Sequence, residues 1–152
     1  MIRFVTMTVL ESRNPNFEAY TRHKISQNKF ISWLGYEITD IQPGRIQGTL
    51  VFKDMHRQQN GWLHGGVTSA VLDMAQGFAS YSLVADGQQV FTVEAKISYY
   101  NPGIAEVFYS RGWVVKPGKR FHFCEGEIYY LRDGNEVIVA KGSATMAVIT
   151  PE

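Results

Sequence analysis

The run Gly61-Trp62-Leu63-His64-Gly65-Gly66, followed by Val67-Thr68-Ser69-Ala70-Val71-Leu72-Asp73, holds residue types that can together do carbonyl chemistry. Helix starts usually carry Ser, Thr, Asp or Asn, whose side-chain oxygen satisfies backbone donors that have no partner in the first turn. Here His64-Gly65-Gly66 stands at that place. Glycine lets another group approach the bare amides. A helix end with open N–H groups and a positive dipole suits an oxygen that gains negative charge during acyl transfer. Asp73, the only acidic residue between Asp54 and Asp86, is the candidate base or nucleophile.

The helix that must carry both groups is expected to run from Gly65 or Gly66 to about Val84, stopped by Asp86-Gly87. On its wheel Val67, Ala70, Val71, Met74 and Phe78 form an apolar stripe, and Asp73 falls on a small, polar flank with Gly66, Ser69, Gly77 and Ser80. At 1.5 Å of rise per residue, Asp73 stands about 10 to 12 Å from the glycine amides. A base must act within about 3 to 3.5 Å of the reacting atom, or through one water. One helix can hardly offer both ends of this constellation to one carbonyl, so two subunits are expected to share the site.

The motif Gln58-x-x-Gly61-x-x-His64-Gly65-Gly66, with the carboxylate nine residues after the histidine and then Thr92-Val93-Glu94-x-x-Ile97-x-Tyr99-x-x-Pro102, resembles the hotdog-fold acyl-CoA thioesterases. It resembles in particular the phenylacetate-pathway and 4-hydroxybenzoyl-CoA type branches, and the likeness spans roughly residues 30 to 149. The resemblance implies an α+β fold in which an antiparallel sheet wraps around one long central helix. It implies that the Gly65 amide polarises the thioester carbonyl, that His64 and Gln58 help to place the thioester or the water, and that Asp73 of the partner subunit is nucleophile or general base. Thr92 matches a Ser or Thr that assists the water. Gly66 and Asn60 would contact substrate. Gln58 stands where several Asp-bearing relatives have Asn, so two patterns mix in this chain. No metal or cofactor is implied, coenzyme A being part of the substrate. A homodimer would be the minimal unit, paired further into a dimer of dimers.

The 152 residues are expected to form one domain, with 1–34 as an N-terminal arm and helix. A net charge of +1 gives no reason to expect nucleic acid or an anionic membrane as partner. One cysteine, Cys124, excludes an internal disulfide framework and fits a reducing cytoplasm; it reads as a buried filler. Residues 1–10 are apolar, but no cleavage site follows, so a strand or an arm is expected rather than an export signal. No stretch approaches the length of a membrane span.

Asn14-Pro15-Asn16 opens an element expected to be helical from Phe17 to about Leu34 and to end at Gly35. Tyr36–Ile41 and Arg45–Phe52 predict a hairpin around Gln42-Pro43-Gly44. After the central helix, four strands are expected: Val90–Tyr100, Glu106–Val115, Arg120–Leu131 and Glu136–Ile149. Alternation in the first puts Phe91, Val93, Ala95, Ile97 and Tyr99 on one face and Thr92, Glu94, Lys96 and Ser98 on the other. Thr92 is then either a solvated strand threonine or a site residue. Tyr99, Tyr100, Phe121 and Phe123 are expected to be exposed and to serve oligomer contacts. Lys116, Lys119 and Arg120 cluster at one turn and can meet the phosphates of coenzyme A. His56 and His64 lack the carboxylate or thiolate neighbours of a metal site. Trp62 either shelters the site or fills the core.

Three functions compete on these residues. Thioester hydrolysis uses Gln58, His64, Gly65, Gly66 and Asp73 together. A non-catalytic acyl-CoA binding module would keep the helix-end amides but have no use for Asp73. An enoyl-CoA hydratase would pair a histidine with a carboxylate in a different local motif.

Overall fold

The computed structural model describes residues 9–151. Its six strands are β1 (Tyr36–Gln42), β2 (Arg45–Val51), β3 (Gln89–Tyr99), β4 (Val107–Pro117), β5 (Phe121–Arg132) and β6 (Asn135–Ile149). They form one sheet in the order β1-β2-β4-β5-β6-β3, with every neighbouring pair antiparallel. The long helix α3 (Gly65–Tyr81) lies across one face, as the hotdog resemblance implies. Two short helices, α1 (Phe17–Ser26) and α2 (Lys29–Leu34), precede the sheet. The question of strand or arm for residues 1–10 falls mostly outside the described residues.

The single helix expected over Phe17 to Leu34 is two helices. Asn28 breaks it, because its side chain accepts the Ile31 amide (3.1 Å) and so caps a new helix. That helix ends as expected at Gly35, whose φ of +74° closes it in the left-handed region. The central helix stops at Tyr81, three residues early. Ser82 is the reason: its hydroxyl donates to the Ala79 carbonyl and accepts the Gly44 amide, both at 2.7 Å, tying the helix end to the β1–β2 turn.

The core lies between α3 and the inner sheet face, where Val71, Leu72, Ala75 and Ala79 meet Phe108, Ile128 and Met146, all fully buried. The buried side of α3 is broader than the expected stripe and includes Gln76 and Ser80. Under Ala75 and Gln76 the sheet presents Gly112, Gly126 and Gly142, paired in register across β4, β5 and β6. A Cβ on Gly112 would fall 2.5 Å from the Ala75 carbonyl. The helix therefore touches sheet backbone there, with no side-chain layer between.

Strand β3 is the sheet edge. Its far side is unpaired among the described residues, and Phe91 through Lys96 are all exposed. A register shift between Thr92 and Glu94 makes Val93 a bulge, which reverses the expected face of Thr92. Thr92 pairs with Met146 and points at α3, whereas Glu94 pairs with Thr145 and takes that residue's hydroxyl hydrogen bond (3.0 Å) on the outer face. Thr92 is thus not on the face of Glu94 and Lys96.

Candidate active site

The loop ahead of α3 is built to deliver His64. His56 is fully buried, accepts the Lys53 amide at Nδ1 (3.0 Å) and bonds the Leu34 carbonyl through Nε2 (2.9 Å). Burial lowers its pKa, the Leu34 hydrogen bond opposing and Lys53 assisting, so it is a neutral structural cross-link. Its own carbonyl accepts the His64 amide (2.8 Å), and the Leu63 amide reaches the Gly103 carbonyl (2.9 Å). Between these anchors Gln58 organises a turn: its amide bonds the Trp62 carbonyl, its carbonyl takes the Gly61 amide, and its side-chain oxygen takes the Asn60 amide. The Gln58 side chain therefore serves its own loop. Trp62 is 44% exposed and does not fill the core.

His64 is the N-cap. Its Nδ1 accepts the Gly66 amide (2.8 Å), which fixes the ring proton on Nε2 and removes Gly66 from the free donors. A Cβ on Gly66 would lie 3.0 Å from that nitrogen. The expectation that both glycine amides stand open is corrected to one. The His64 carbonyl accepts the Val67 and Thr68 amides, and no described residue accepts from the Gly65 N–H. The Gly65 carbonyl, by contrast, is held by the Ser69 hydroxyl (2.7 Å) and the Tyr99 hydroxyl (3.0 Å).

Two turns on, Asp73 is half-buried and its Oδ1 accepts the Thr92 hydroxyl at 2.7 Å. The Val93 bulge makes this pair possible. Thr92 Oγ1 also lies 3.4 Å from Met146 Sδ. Asp73 and Gly65 are eight residues apart on one straight helix, about 12 Å, so the chain does not bring them together by itself.

The basic turn is elsewhere again. Lys116, Lys119 and Arg120 are exposed at the β4–β5 tip, beside the Phe91 end of β3, through the rows Phe121–Ala147 and Ala147–Phe91. Gly65 sits at the Tyr99 end, about 25 Å away along the strand. Asn60 is exposed on the loop. Tyr99 and Ser69 are site neighbours that sequence reasoning did not assign to the chemistry; a tyrosine among aromatics destined for a wet surface is the signal, since its hydroxyl needs a partner. No group of three His, Cys, Asp or Glu among the described residues could hold a metal ion. No helix among them is long and apolar enough to cross a membrane.

Polar clusters also lie away from this site. His122 is buried on β5, and its Nδ1 is 2.7 Å from the Ser80 hydroxyl. Burial and nearby Arg13 lower its pKa to about 4 against a hydrogen bond with the Gly118 backbone. Ser80, expected on the open flank of α3, is thus a core residue, because the helix is buried more deeply at its C-terminal half. Cys124 is buried as expected, and burial pushes its thiol up to about 12, an inert state. On the outer sheet face Arg111 pairs with Glu136 (2.7 Å) and Glu127, stacks 4.7 Å over Tyr129, and Lys141 joins Glu127 (2.9 Å). Burial alone would raise the Glu127 carboxyl, but Lys141 and Arg111 outweigh it and hold it low.

The sequence and the fold have known counterparts. Residues 60–136 match the family model of the thioesterase superfamily. A thioesterase family protein from Silicibacter pomeroyi superposes with a TM-score of 0.86 at 33% identity, over 89% of this chain and 99% of that one. The fold is also that of a Haemophilus influenzae thioesterase (TM-score 0.75, 21% identity, 84% and 87% covered). The PaaI protein of the E. coli phenylacetic acid degradation operon shares it too (TM-score 0.81, 19% identity, 91% and 96% covered). A family model matched over half of the chain and a relative 33% identical along almost its whole length mark this protein as a member of the thioesterase superfamily, hydrolases of the thioester bond.

Proposed function

We propose that the protein hydrolyses an acyl-CoA to the free acid and coenzyme A, with Asp73 as general base in a site shared by two subunits. The observation that carries the reading is the Thr92–Asp73 hydrogen bond. Thr92 has one hydroxyl proton and gives it to Asp73, so its lone pairs remain to accept from water. A water donating to Asp73 Oδ2 and to Thr92 would present its own lone pair to the thioester carbon. Asp73 takes the water proton as the C–O bond forms, and the oxyanion is received by the Gly65 N–H of the partner subunit. Collapse breaks the C–S bond, and the leaving thiolate takes the proton back from Asp73. No metal or cofactor enters these steps.

The exposed edge of β3 supports the shared site. Antiparallel pairing with a two-fold copy, centred between Ala95 and Lys96, would set Thr92 opposite Tyr99 of the partner subunit, and with it Asp73 beside the other helix start. Such a dimer would also bring the Lys116, Lys119 and Arg120 tip of one chain towards the helix start of the other, where coenzyme A phosphates need cations. His64 acts by holding Gly66, while Gln58 and Asn60 shape the loop that the substrate meets. The outer-face aromatics Phe121 and Phe123, 45% and 49% exposed, suit pairing into a dimer of dimers. The setting is a reducing cytoplasm, with neither nucleic acid nor membrane as partner.

The test is thiol release from aryl-, short-, medium- and long-chain acyl-CoAs by the wild type and Asp73→Asn. Turnover that falls at least about 100-fold in the folded variant is the expected result. Full hydrolysis by Asp73→Asn would remove Asp73 from the chemistry. Tight acyl-CoA binding without turnover would identify a binding module, and loss of conjugated enoyl-thioester absorbance a hydratase.

A further inference from the structure

We infer that Tyr99, assisted by Ser69, is a positioning residue for the carbonyl-binding amide: it clamps the Gly65–Gly66 peptide so that the Gly65 N–H keeps one direction. The inference rests on the proposed role of that amide. Gly65 has two flanking peptides. The one before it, His64–Gly65, carries the free N–H, and its carbonyl end is fixed by the Val67 and Thr68 amides (3.0 and 3.1 Å). The one after it, Gly65–Gly66, is gripped at both ends. Its N–H donates to His64 Nδ1 (2.8 Å), and its carbonyl accepts from Tyr99 (3.0 Å) and Ser69 (2.7 Å), whose hydroxyls are 3.2 Å apart.

A glycine between two unfixed peptides would wander over a wide range of φ and ψ. Here the hydrogen bonds to His64, Ser69 and Tyr99 take up that freedom, and the Tyr99 ring stands 3.6 Å from where a Cβ of Gly65 would lie, an ordinary contact. A donor fixed before the oxyanion forms needs no reorganisation when it does, which is the source of most electrostatic catalysis. Tyr99 also ends the strand whose other half, through Thr92, holds Asp73. The edge strand therefore orients both halves of the split site, the base and the carbonyl donor.

Tyr99→Phe keeps the ring and deletes the clamp. It is expected to lower kcat about tenfold with KM, pH profile and Tm nearly unchanged. Ser69→Ala should lower kcat about threefold, because Tyr99 still grips the same carbonyl. Hydrogen exchange of the segment 62–70 should quicken in Tyr99→Phe, as the Gly66 amide loosens. Wild-type kcat in Tyr99→Phe, or a fall matched by lost folded protein, overturns the inference. If the wild type releases no thiol from any acyl-CoA, the proposed function fails on its own. The exchange measurement then decides the clamp: faster exchange upholds it and unchanged exchange refutes it.

Discussion

The two ends of α3 use the same residue types for opposite purposes. At the N-terminus His64, Ser69 and Tyr99 stand at the surface and satisfy every group around Gly65 except one N–H. Towards the C-terminus Ser80, Ser82 and His122 are buried, and their hydrogen bonds reach inward, to each other and to the turns that pack on the helix. A serine–histidine pair 2.7 Å apart looks like the more reactive of the two arrangements. It is the less useful one, because no substrate can reach it and its histidine is held neutral. In the proposed reaction the other end acts through a donor that is left over, the Gly65 N–H. The contrast teaches that, at these two ends of α3, the polar side chains leave one group unsatisfied in the open where the proposed chemistry lies and none where they serve architecture.

What keeps the two ends in line is the contact between them, so the largest effect is expected there. Gly112→Val should cost about 3 kcal/mol or more, since its side chain must displace the Ala75 backbone 2.5 Å away. Both ends then lose their register at once, and denaturant midpoints and thiol release should fall together. If the variant keeps its midpoint, the helix does not rest on the glycine row. The next effect belongs to the buried end alone. His122 has a pKa of about 4 in the fold against an ordinary 6.5, so above pH 6.5 it is neutral in both states and adds no pH dependence. As pH falls from 6.5 to 4 the unfolded chain takes a proton that the fold refuses, and stability should drop by about 3 kcal/mol. Chemical denaturation at pH 7 and pH 4.5 checks this, with His122→Gln flattening that portion of the slope.

Most of the frame is written in periodicity and punctuation: the hairpin around Pro43-Gly44, the four later strands, the Gly35 stop and the helix after His64-Gly65-Gly66 all stand where the sequence puts them to within a few residues. The place of Asp73 is legible too, as a lone carboxylate on a long helix. The rest depends on contacts that no local pattern carries. A bulge at Val93 adds one residue and reverses a face, so strict alternation sends Thr92 outward when it points at Asp73. Asn28 breaks the first helix with a cap that was readable, since Asn within a helical run is a start signal. The resemblance gives His64 a part in placing the thioester or the water; its capping of Gly66 is a further role, since a histidine nitrogen can cap as an oxygen does. Helical phase puts Ser80 on the open flank because it gives direction and not depth. Depth is set by the glycine row, which is spread over three later strands, β4, β5 and β6.

The smallest effect separates the two serines of α3. Ser80→Ala leaves His122 Nδ1 without its partner in the core, and an unsatisfied buried acceptor costs about 1 to 3 kcal/mol. Ser69→Ala removes a bond from a carbonyl that still has Tyr99, at a site where water can replace it, so the change should stay within about 0.5 kcal/mol. Their effects on turnover should run the other way: Ser80→Ala, remote from Asp73 and Gly65, should leave kcat of the folded enzyme unchanged, whereas Ser69→Ala lowers it. Midpoints from urea titration and kcat from thiol release, measured on both variants, give four numbers whose pattern is fixed in advance. Equal losses of stability at both serines would mean that the surface end of the helix is as much a part of the core as the buried end, and the Gly65 amide would then be held by packing and not by the hydroxyls of Ser69 and Tyr99.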